Sequence, residues 1–273
     1  MIAIVSTFKE SYKDVREHLP QWIKVAFAPF IVWLIGLAFM GMGLYLSGEF
    51  NFTVTQEGIL QNEPEGSLLG DFFTVVHYIL ETFAALVLYV NAFRYAVLGE
   101  GGDKWWTFSL NKRLVKMFLY YLLIIVLCAV YGGVAGGITV GTYFLVENVF
   151  LTGLLGVLFV VGLVYFATRL TLTFLYVAVD QKEPLRTSWH LMKGSVLRVL
   201  GLFFLIGLVI IGLTIVGSAI LGFGGWLLSL INMWLGAIVF ALFIPFGLFV
   251  WLVSIALMTK TIALVNKQLM EKK

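Results

Sequence analysis

Six long apolar stretches, separated by short polar segments, dominate the hydrophobic pattern of the chain. They cover about residues 22–47, 72–98, 115–143, 149–179, 196–221 and 230–259. A helix that crosses the hydrocarbon core of a bilayer needs about 20 mostly apolar residues, and every stretch is that long. The pattern predicts an all-α integral membrane protein with six transmembrane helices, in which residues 1–273 form a single transmembrane domain.

The composition excludes a soluble protein. Hydrophobic residues make up 61% of the chain and charged residues 12%, whereas soluble domains carry roughly 25% charged residues. Within the last two stretches, two features predict local geometry. The glycines between Gly222 and Trp226 suit a tight turn that joins the fifth and sixth helices. Pro245 is expected to kink the sixth helix without ending it.

The basic residues predict the orientation of the protein. All 18 Lys and Arg residues lie in or beside the two terminal segments and the second and fourth connections, and the other three connections contain none. Because Lys and Arg are retained on the cytoplasmic side, both termini are expected there. This distribution accounts for the net charge of +3 without a nucleic-acid partner. Residues 7–19 are too charged for a cleavable signal peptide.

Three cytoplasmic segments have the pattern of helices that lie in the membrane interface. They cover about residues 7–19, 103–113 and 184–193, and the second contains Trp105 and Trp106. We hypothesise three repeats, each an interfacial helix followed by a transmembrane hairpin. The alternative is that each loop acquires Trp, Lys and Arg separately, because these residues suit the headgroup region.

Two charged residues lie deep within the predicted helices. Glu81 is ten residues beyond Asp71, and Arg169 is eleven residues before Asp180. At 1.5 Å per residue, each lies about 15 Å from its own end of the helix, so both are near the bilayer centre. Charges at this depth mark either function or a structural pairing.

The second predicted helix also carries polar residues on one face. His77, Glu81 and Asn91 share that face, and Arg94 lies beside it. One interpretation is a polar pathway with Glu81 as a protonatable site. The other, which the apolar gap between Glu81 and Asn91 favours, is a buried Glu81–Arg169 or Glu81–Arg94 pair that orders the helices. Glycine pairs four residues apart between Gly132 and Gly141 are expected mostly to form internal packing surfaces.

The common catalytic motifs are absent from the sequence. It contains three His and one Cys, and it has no HExxH motif, no Walker lysine motif and no GxSxG motif. We therefore expect a protein that is not an enzyme and that has no cofactor and no metal site.

The segment from Arg169 to Gly194 is distinctive, and a second stretch runs from Arg94 to Glu100. They resemble bacterial multi-pass proteins related to the membrane domain of glycerophosphodiester phosphodiesterases, the YciC-like group. The family pattern is matched at Arg169, Asp180 or Glu183, Ser188, Trp189, Leu191 and Gly194. In the same segment, Pro184 predicts the start of a short helix, and Gly194 predicts a turn into the fifth transmembrane helix. The proline that the family often has late in the Arg-bearing helix is missing here, and the catalytic domain of the phosphodiesterases has no counterpart. From the residues themselves, a role in the fold is favoured over a binding site.

The resemblance implies a protein of the bacterial cytoplasmic (inner) membrane and transfers no activity. The leading hypothesis is a non-enzymatic protein that acts through a protein partner or a bound lipid. Its basic segments favour anionic lipids of the cytoplasmic leaflet, and a membrane-protein partner or a homo-oligomer is an open alternative. The second hypothesis is a small transporter or channel that uses an intramembrane polar pathway around Glu81 and Arg169.

Overall fold

The computed structural model describes residues 2–47, 52–55, 58–61, 67–107 and 111–271. These residues form ten helices and one short antiparallel hairpin. The hairpin pairs β1 (Phe52–Thr55) with β2 (Gly58–Gln61), with Phe52 opposite Gln61. The helices are α1 Ile4–Glu17, α2 Leu19–Leu46, α3 Leu68–Leu98, α4 Lys112–Val146, α5 Val149–Arg169, α6 Leu172–Ala178, α7 Pro184–Leu191, α8 Val196–Ile231, α9 Met233–Ala241 and α10 Phe243–Met270.

Six spans in the described part of the chain are long and apolar enough to cross a membrane, which confirms the prediction of an all-α protein with six such helices. The first three and the fifth are α2, α3, α4 and α8, and the fourth and sixth are each made of two helices in sequence. The fourth span combines α5 and α6, which are separated at Leu170 and Thr171. The sixth combines α9 and α10, which are separated only at Leu242, three residues before Pro245. The sixth span therefore continues past Pro245, which confirms the prediction that this proline does not end it.

The turn predicted at Gly222–Trp226 is wrong, because α8 continues through these residues to Ile231. The chain reverses at Asn232, whose side chain accepts a hydrogen bond from the Trp234 amide at 2.8 Å and so caps α9. The glycines instead allow close packing. A Cβ atom on Gly236 of α9 would lie 3.0 Å from the carbonyl oxygen of Gly225 on α8.

Both ends of the described chain and two of its connections meet at one end of the helical bundle, which we call the basic end. Asp14 of α1 lies 2.8 Å from the ammonium group of Lys260 on α10. Arg94, near the end of α3, donates a hydrogen bond to the carbonyl of Ala178, and Arg113 forms an ion pair with Asp180.

Two of the three predicted interfacial segments are helical. They correspond to α1 and α7. The buried face of α1, however, is Thr7, Ser11 and Val15, and it packs against α10. Tyr12, on the same helix, is 46% exposed. Small polar residues are buried here because Ser11 and Thr7 have polar partners on α10, Thr261 and Gln268 respectively.

The predicted helix at residues 103–113 is wrong. The described residues between Gly99 and Thr107 are not helical, and α4 begins only at Lys112. Gly99 and Gly101 have positive φ angles of 69° and 91°, which end α3. The carbonyl of Thr107 accepts a hydrogen bond from the side chain of Asn91 at 2.7 Å, so the backbone of this segment is held against α3. Among the described residues, the second hypothesised repeat has no helix before its hairpin, and superposition of the hairpins stays a prediction.

The tightly packed core lies in the half of the bundle nearest the basic end. Each of the six spans contributes the half that adjoins this end. Trp22 of α2, Met117 of α4, Tyr176 of α6, Leu202 of α8 and Leu257 of α10 are all almost fully buried. The opposite halves of α4, α5 and α8, by contrast, are mostly exposed to the surroundings. In a bilayer, these halves are the surfaces that lipid contacts.

Candidate functional site

The polar face predicted on α3 is packed mainly against α2. His77 is 5% exposed, and its Nδ1 atom has no hydrogen-bond partner among the described residues. A Cβ atom on Gly36 of α2 would lie 3.3 Å from that Nδ1. Further along α3, Asn91 is buried, and its amide also approaches the carbonyl of Val25 at 3.5 Å. His77 and Asn91 therefore line a helix contact rather than a continuous polar pathway.

Glu81 lies at the edge of this contact, and its side chain is 46% exposed. His77 lies close to it, with its Nε2 atom 3.7 Å from Glu81 Oε2. This distance is too long for a hydrogen bond. Among the described residues, Glu81 forms no ion pair with either arginine that the sequence suggested, so the expected Glu81–Arg169 or Glu81–Arg94 pair is wrong.

Arg94 and Arg169 both have partners at the basic end. Arg94 pairs with Glu100, just beyond the end of α3, and also donates to the Ala178 carbonyl at 3.0 Å. Arg169, the last residue of α5, donates from Nε to the carbonyl of Trp189 at 3.0 Å. Because α5 ends here and α7 folds back beside it, the guanidinium finds its partners twenty residues later in the chain rather than on α3.

The segment from Arg169 to Gly194 forms one connected structure. The Arg169 guanidinium lies 3.8 Å from the centre of the Trp189 ring, in a cation–π contact. The hydroxyl of Ser188 donates to the carbonyl of Arg169 at 2.8 Å. Pro184 begins α7, as predicted, and Gly194 has a φ of 77°, which allows the turn into α8. These contacts are the kind that a role in the fold requires.

The aromatic pair at the start of the second connection faces α2. Phe27 meets the rings of Trp105 and Trp106 edge-on, at centroid distances of 5.2 and 5.5 Å. Lys24 lies 5.9 Å from the centre of the Trp105 ring. Both tryptophans remain exposed, at 49% and 65%. Their position beside basic residues fits the headgroup region of a bilayer.

A cavity of about 760 Å³ lies beside Glu81, between α3, α4, α6 and α10. Glu81, Tyr89 and Tyr121 line it and are each partly exposed, so it opens sideways between α3 and α4. Most of the other lining groups are apolar or aromatic, with a few hydroxyl groups. The lining residues are Glu81, Thr82, Ala85, Leu86, Tyr89, Phe93, Met117, Tyr121, Thr171, Phe174, Trp251, Ser254, Ile255, Met258, Thr259 and Ile262.

The cavity has the size and lining of a site for a small hydrophobic molecule. Such sites usually measure 300–1,000 Å³ and combine an apolar wall with a few polar groups that orient the ligand. Of the five intramembrane residues that the sequence singled out, only Glu81 reaches this cavity. No group of three or more His, Cys, Asp or Glu side chains within the described residues could hold a metal ion.

Sequence reasoning missed the cavity because its walls come from four separate helices. Tyr89, Tyr121 and Trp251 were the aromatic groups most worth noticing. No spacing within one helix could have joined them, since each lies on a different helix or in an ordinary apolar run. The depth of Glu81 was the one usable signal.

Comparisons with known proteins found no matching family model, no matching curated protein and no matching solved structure.

Proposed function

We propose that this chain is a non-enzymatic, multi-pass protein of the bacterial inner membrane that binds a hydrophobic ligand from the bilayer, a lipid in the broad sense. The cavity beside Glu81 carries the proposal. Its side opening faces the surroundings of α3 and α4, where a ligand dissolved in the membrane can enter without crossing water. The absence of recognised catalytic motifs in the sequence supports a binding protein.

The location and orientation are part of the same proposal. Cytoplasmic termini are supported by the basic end, where the described arginines and lysines collect on one side of the bundle. Basic side chains near a membrane surface attract anionic lipids, by about 1 kcal/mol each. A relationship to the YciC-like group is supported by the contacts that join Arg169, Ser188 and Trp189.

The first test is native mass spectrometry of the gently extracted protein. The expected result is a hydrophobic small molecule or lipid that stays bound in fixed proportion. An Ala85→Trp substitution fills the cavity, and it should remove that ligand. Ala129→Trp adds the same bulk at an exposed position of α4, outside the cavity, and should leave the ligand bound.

Two results would contradict binding in this cavity. One is a ligand that both tryptophan variants retain. The other is a wild-type spectrum that shows only the bare chain or a copurified protein, in which case the chain acts through that partner or through copies of itself.

The second candidate function is a small transporter or channel. Glu81 favours it, because a carboxylate lines the cavity at mid-helix. The arrangement of the other polar groups opposes it, since His77 and Asn91 pack against α2 and Arg169 stacks on Trp189. Flux into liposomes that is lost in Glu81→Gln but kept in Asp71→Asn would favour transport over simple binding.

A further inference from the structure

The charge of the cavity is unbalanced. Glu81 is the one charged side chain among its described lining residues. The two arginines that the sequence suggested as its partners lie elsewhere. Arg94 pairs with Glu100, and Arg169 contacts the ring of Trp189. Among the described residues, the nearest basic group is His77, which lies outside the cavity at 3.7 Å. A carboxylate in such surroundings is stabilised by a cation that enters the cavity.

The depth of Glu81 restricts what that cation is. Glu81 is 13 residues after Leu68 and 17 residues before Leu98, the two ends of α3. At 1.5 Å per residue these distances are about 20 and 26 Å. The hydrocarbon core of a bilayer is about 30 Å thick, so Glu81 lies near its middle. The headgroup of a membrane lipid remains at the surface, and the cation must therefore belong to a small molecule that dissolves in the hydrocarbon core.

The aromatic groups of the cavity fit the same chemistry. Tyr89, Tyr121 and Trp251 line the same cavity as Glu81. An organic cation is attracted to the face of an aromatic ring, most strongly to that of tryptophan. The Trp251 ring is held in place by Phe30, with stacked rings 5.1 Å apart, and by Trp33 at 5.6 Å. The cavity thus offers a carboxylate and aromatic rings, one of them held in place by its neighbours, within one apolar space.

We infer that the ligand of this cavity is a small lipophilic cation, such as a hydrophobic tertiary or quaternary ammonium compound, with its charge paired to Glu81. This inference rests on the proposed function, since it names the chemical class of the ligand that the cavity binds. The charge pairs with the carboxylate, the apolar groups pack against the side chains of α3, α4 and α10, and the rings of Trp251 and the tyrosines surround the cationic centre.

The test compares two probes of nearly equal size and opposite charge, tetraphenylphosphonium and tetraphenylborate. Binding of each to the full chain in lipid nanodiscs is measured by equilibrium dialysis, with empty nanodiscs as the background. The wild-type protein should bind the phosphonium at least tenfold more tightly than the borate. This comparison needs no variant, so it holds even if a substitution prevents folding.

Variants then assign the site. Glu81→Gln should weaken phosphonium binding about tenfold, and Trp251→Leu about threefold, which is the loss expected for one cation–π contact. Asp71→Asn removes the same charge from α3 at a position outside the cavity, and it should have no effect.

The outcomes separate the inference from the proposed function. Equal binding of the two probes, or phosphonium binding that survives in Glu81→Gln, would overturn the inference that the ligand is a cation. If the phosphonium does not bind while Ala85→Trp still displaces a hydrophobic ligand from the wild type, the cation is wrong and the proposed function stands. If Ala85→Trp displaces nothing and neither probe binds, both are overturned.

Discussion

Two transmembrane hairpins of this protein are rich in glycine, and the glycines of the α2–α3 hairpin pack differently from those of α4 in the α4–α5 hairpin. In the α2–α3 hairpin, Gly36, Gly43 and Gly70 lie where the helices touch, and Gly41 does not. A Cβ atom on Gly43 would be 2.8 Å from the Thr74 hydroxyl, and one on Gly70 would be 3.0 Å from the carbonyl of Gly43. In the α4–α5 hairpin, a Cβ atom would meet nothing within 4 Å at any of the five glycines of α4, which are Gly132, Gly133, Gly136, Gly137 and Gly141.

The difference shows that small residues permit close packing without causing it. Between helices in a bilayer there is no hydrophobic driving force, because lipid tails are as apolar as the side chains. Close approach requires a partner of matching shape, which α3 supplies to α2 but α5 does not supply to the glycines of α4. The expectation that the glycines from Gly132 to Gly141 form internal packing surfaces is therefore wrong.

The largest effect is expected from adding bulk at equivalent glycines of the two hairpins. Gly43→Leu places a side chain against the Thr74 hydroxyl and the Gly70 carbonyl, and overpacking of this kind costs about 1–3 kcal/mol. Gly136→Leu points into open space and should change stability by less than about 0.5 kcal/mol. Thermal unfolding of both variants in one detergent measures the contrast.

A large loss of stability in Gly136→Leu would mean that the glycine face of α4 is covered in the protein. Measuring the molecular mass of the detergent-solubilised wild type and variant then identifies what covers this face. A homo-oligomer that dissociates on the Gly136→Leu substitution would assign the face to a second copy of the chain. If the two variants lost equal stability without a change in molecular mass, the contrast between the glycines of the two hairpins would be wrong.

The sequence predicted the elements of this fold better than their partners. Long apolar runs predict spans because the bilayer sets their length, and Pro184 and Gly194 predict local turns because each restricts or frees its own backbone. Arg169 was one of the two expected partners of Glu81, with Arg94, since Arg169 and Glu81 lie about equally deep. The actual partner of Arg169 is Trp189 on α7, which folds back beside the end of α5. Counting residues from the ends of the predicted helices gives their depth but does not reveal that α7 folds back.

The same limit explains the missing helix before α4. Residues 103–113 have the composition of an interfacial helix, yet the carbonyl of Thr107 bonds to Asn91 on α3 instead of to its own segment. The candidate site was predicted only at Glu81. The rest of the cavity depends on how four helices lie relative to one another, and no spacing within one helix contains that arrangement.

An intermediate effect is expected where the open α4–α5 hairpin is attached to the packed half. Arg169→Met removes the stacking on Trp189 and the hydrogen bond to its carbonyl, at a cost of about 2 kcal/mol. Hydrogen exchange in α5, α6 and α7 should rise. Arg169→Lys keeps the charge but loses the planar stack, so it should fall between Met and the wild type.

Arg186→Met is the matched control for that substitution. Arg186 of α7 pairs with Glu183, the residue just before that helix, and both side chains are mostly exposed, at 74% and 65%. Exposed pairs of this kind contribute about 0–1 kcal/mol, so exchange should hardly change. Faster exchange confined to α7 in Arg169→Met, with α5 unchanged, would contradict the idea that this contact holds the α4–α5 hairpin to the packed half.

The smallest effect is expected from the hydrogen bond that links the two helices of the open hairpin. The Tyr131 hydroxyl of α4 donates to the carbonyl of Phe159 on α5 at 3.0 Å. Tyr131→Phe removes this bond and should cost about 0.5–1.5 kcal/mol, seen as faster exchange in the middle of α5.

Tyr165→Phe, at an exposed position of α5, is the control and should leave exchange unchanged. Because α4 and α5 contact each other much less extensively than α2 and α3 do, the loss should stay within this hairpin and leave α2 and α3 protected. Faster exchange in α3 would instead show that the stability of one hairpin depends on the other. The two hairpins would then differ in packing density but would not unfold independently.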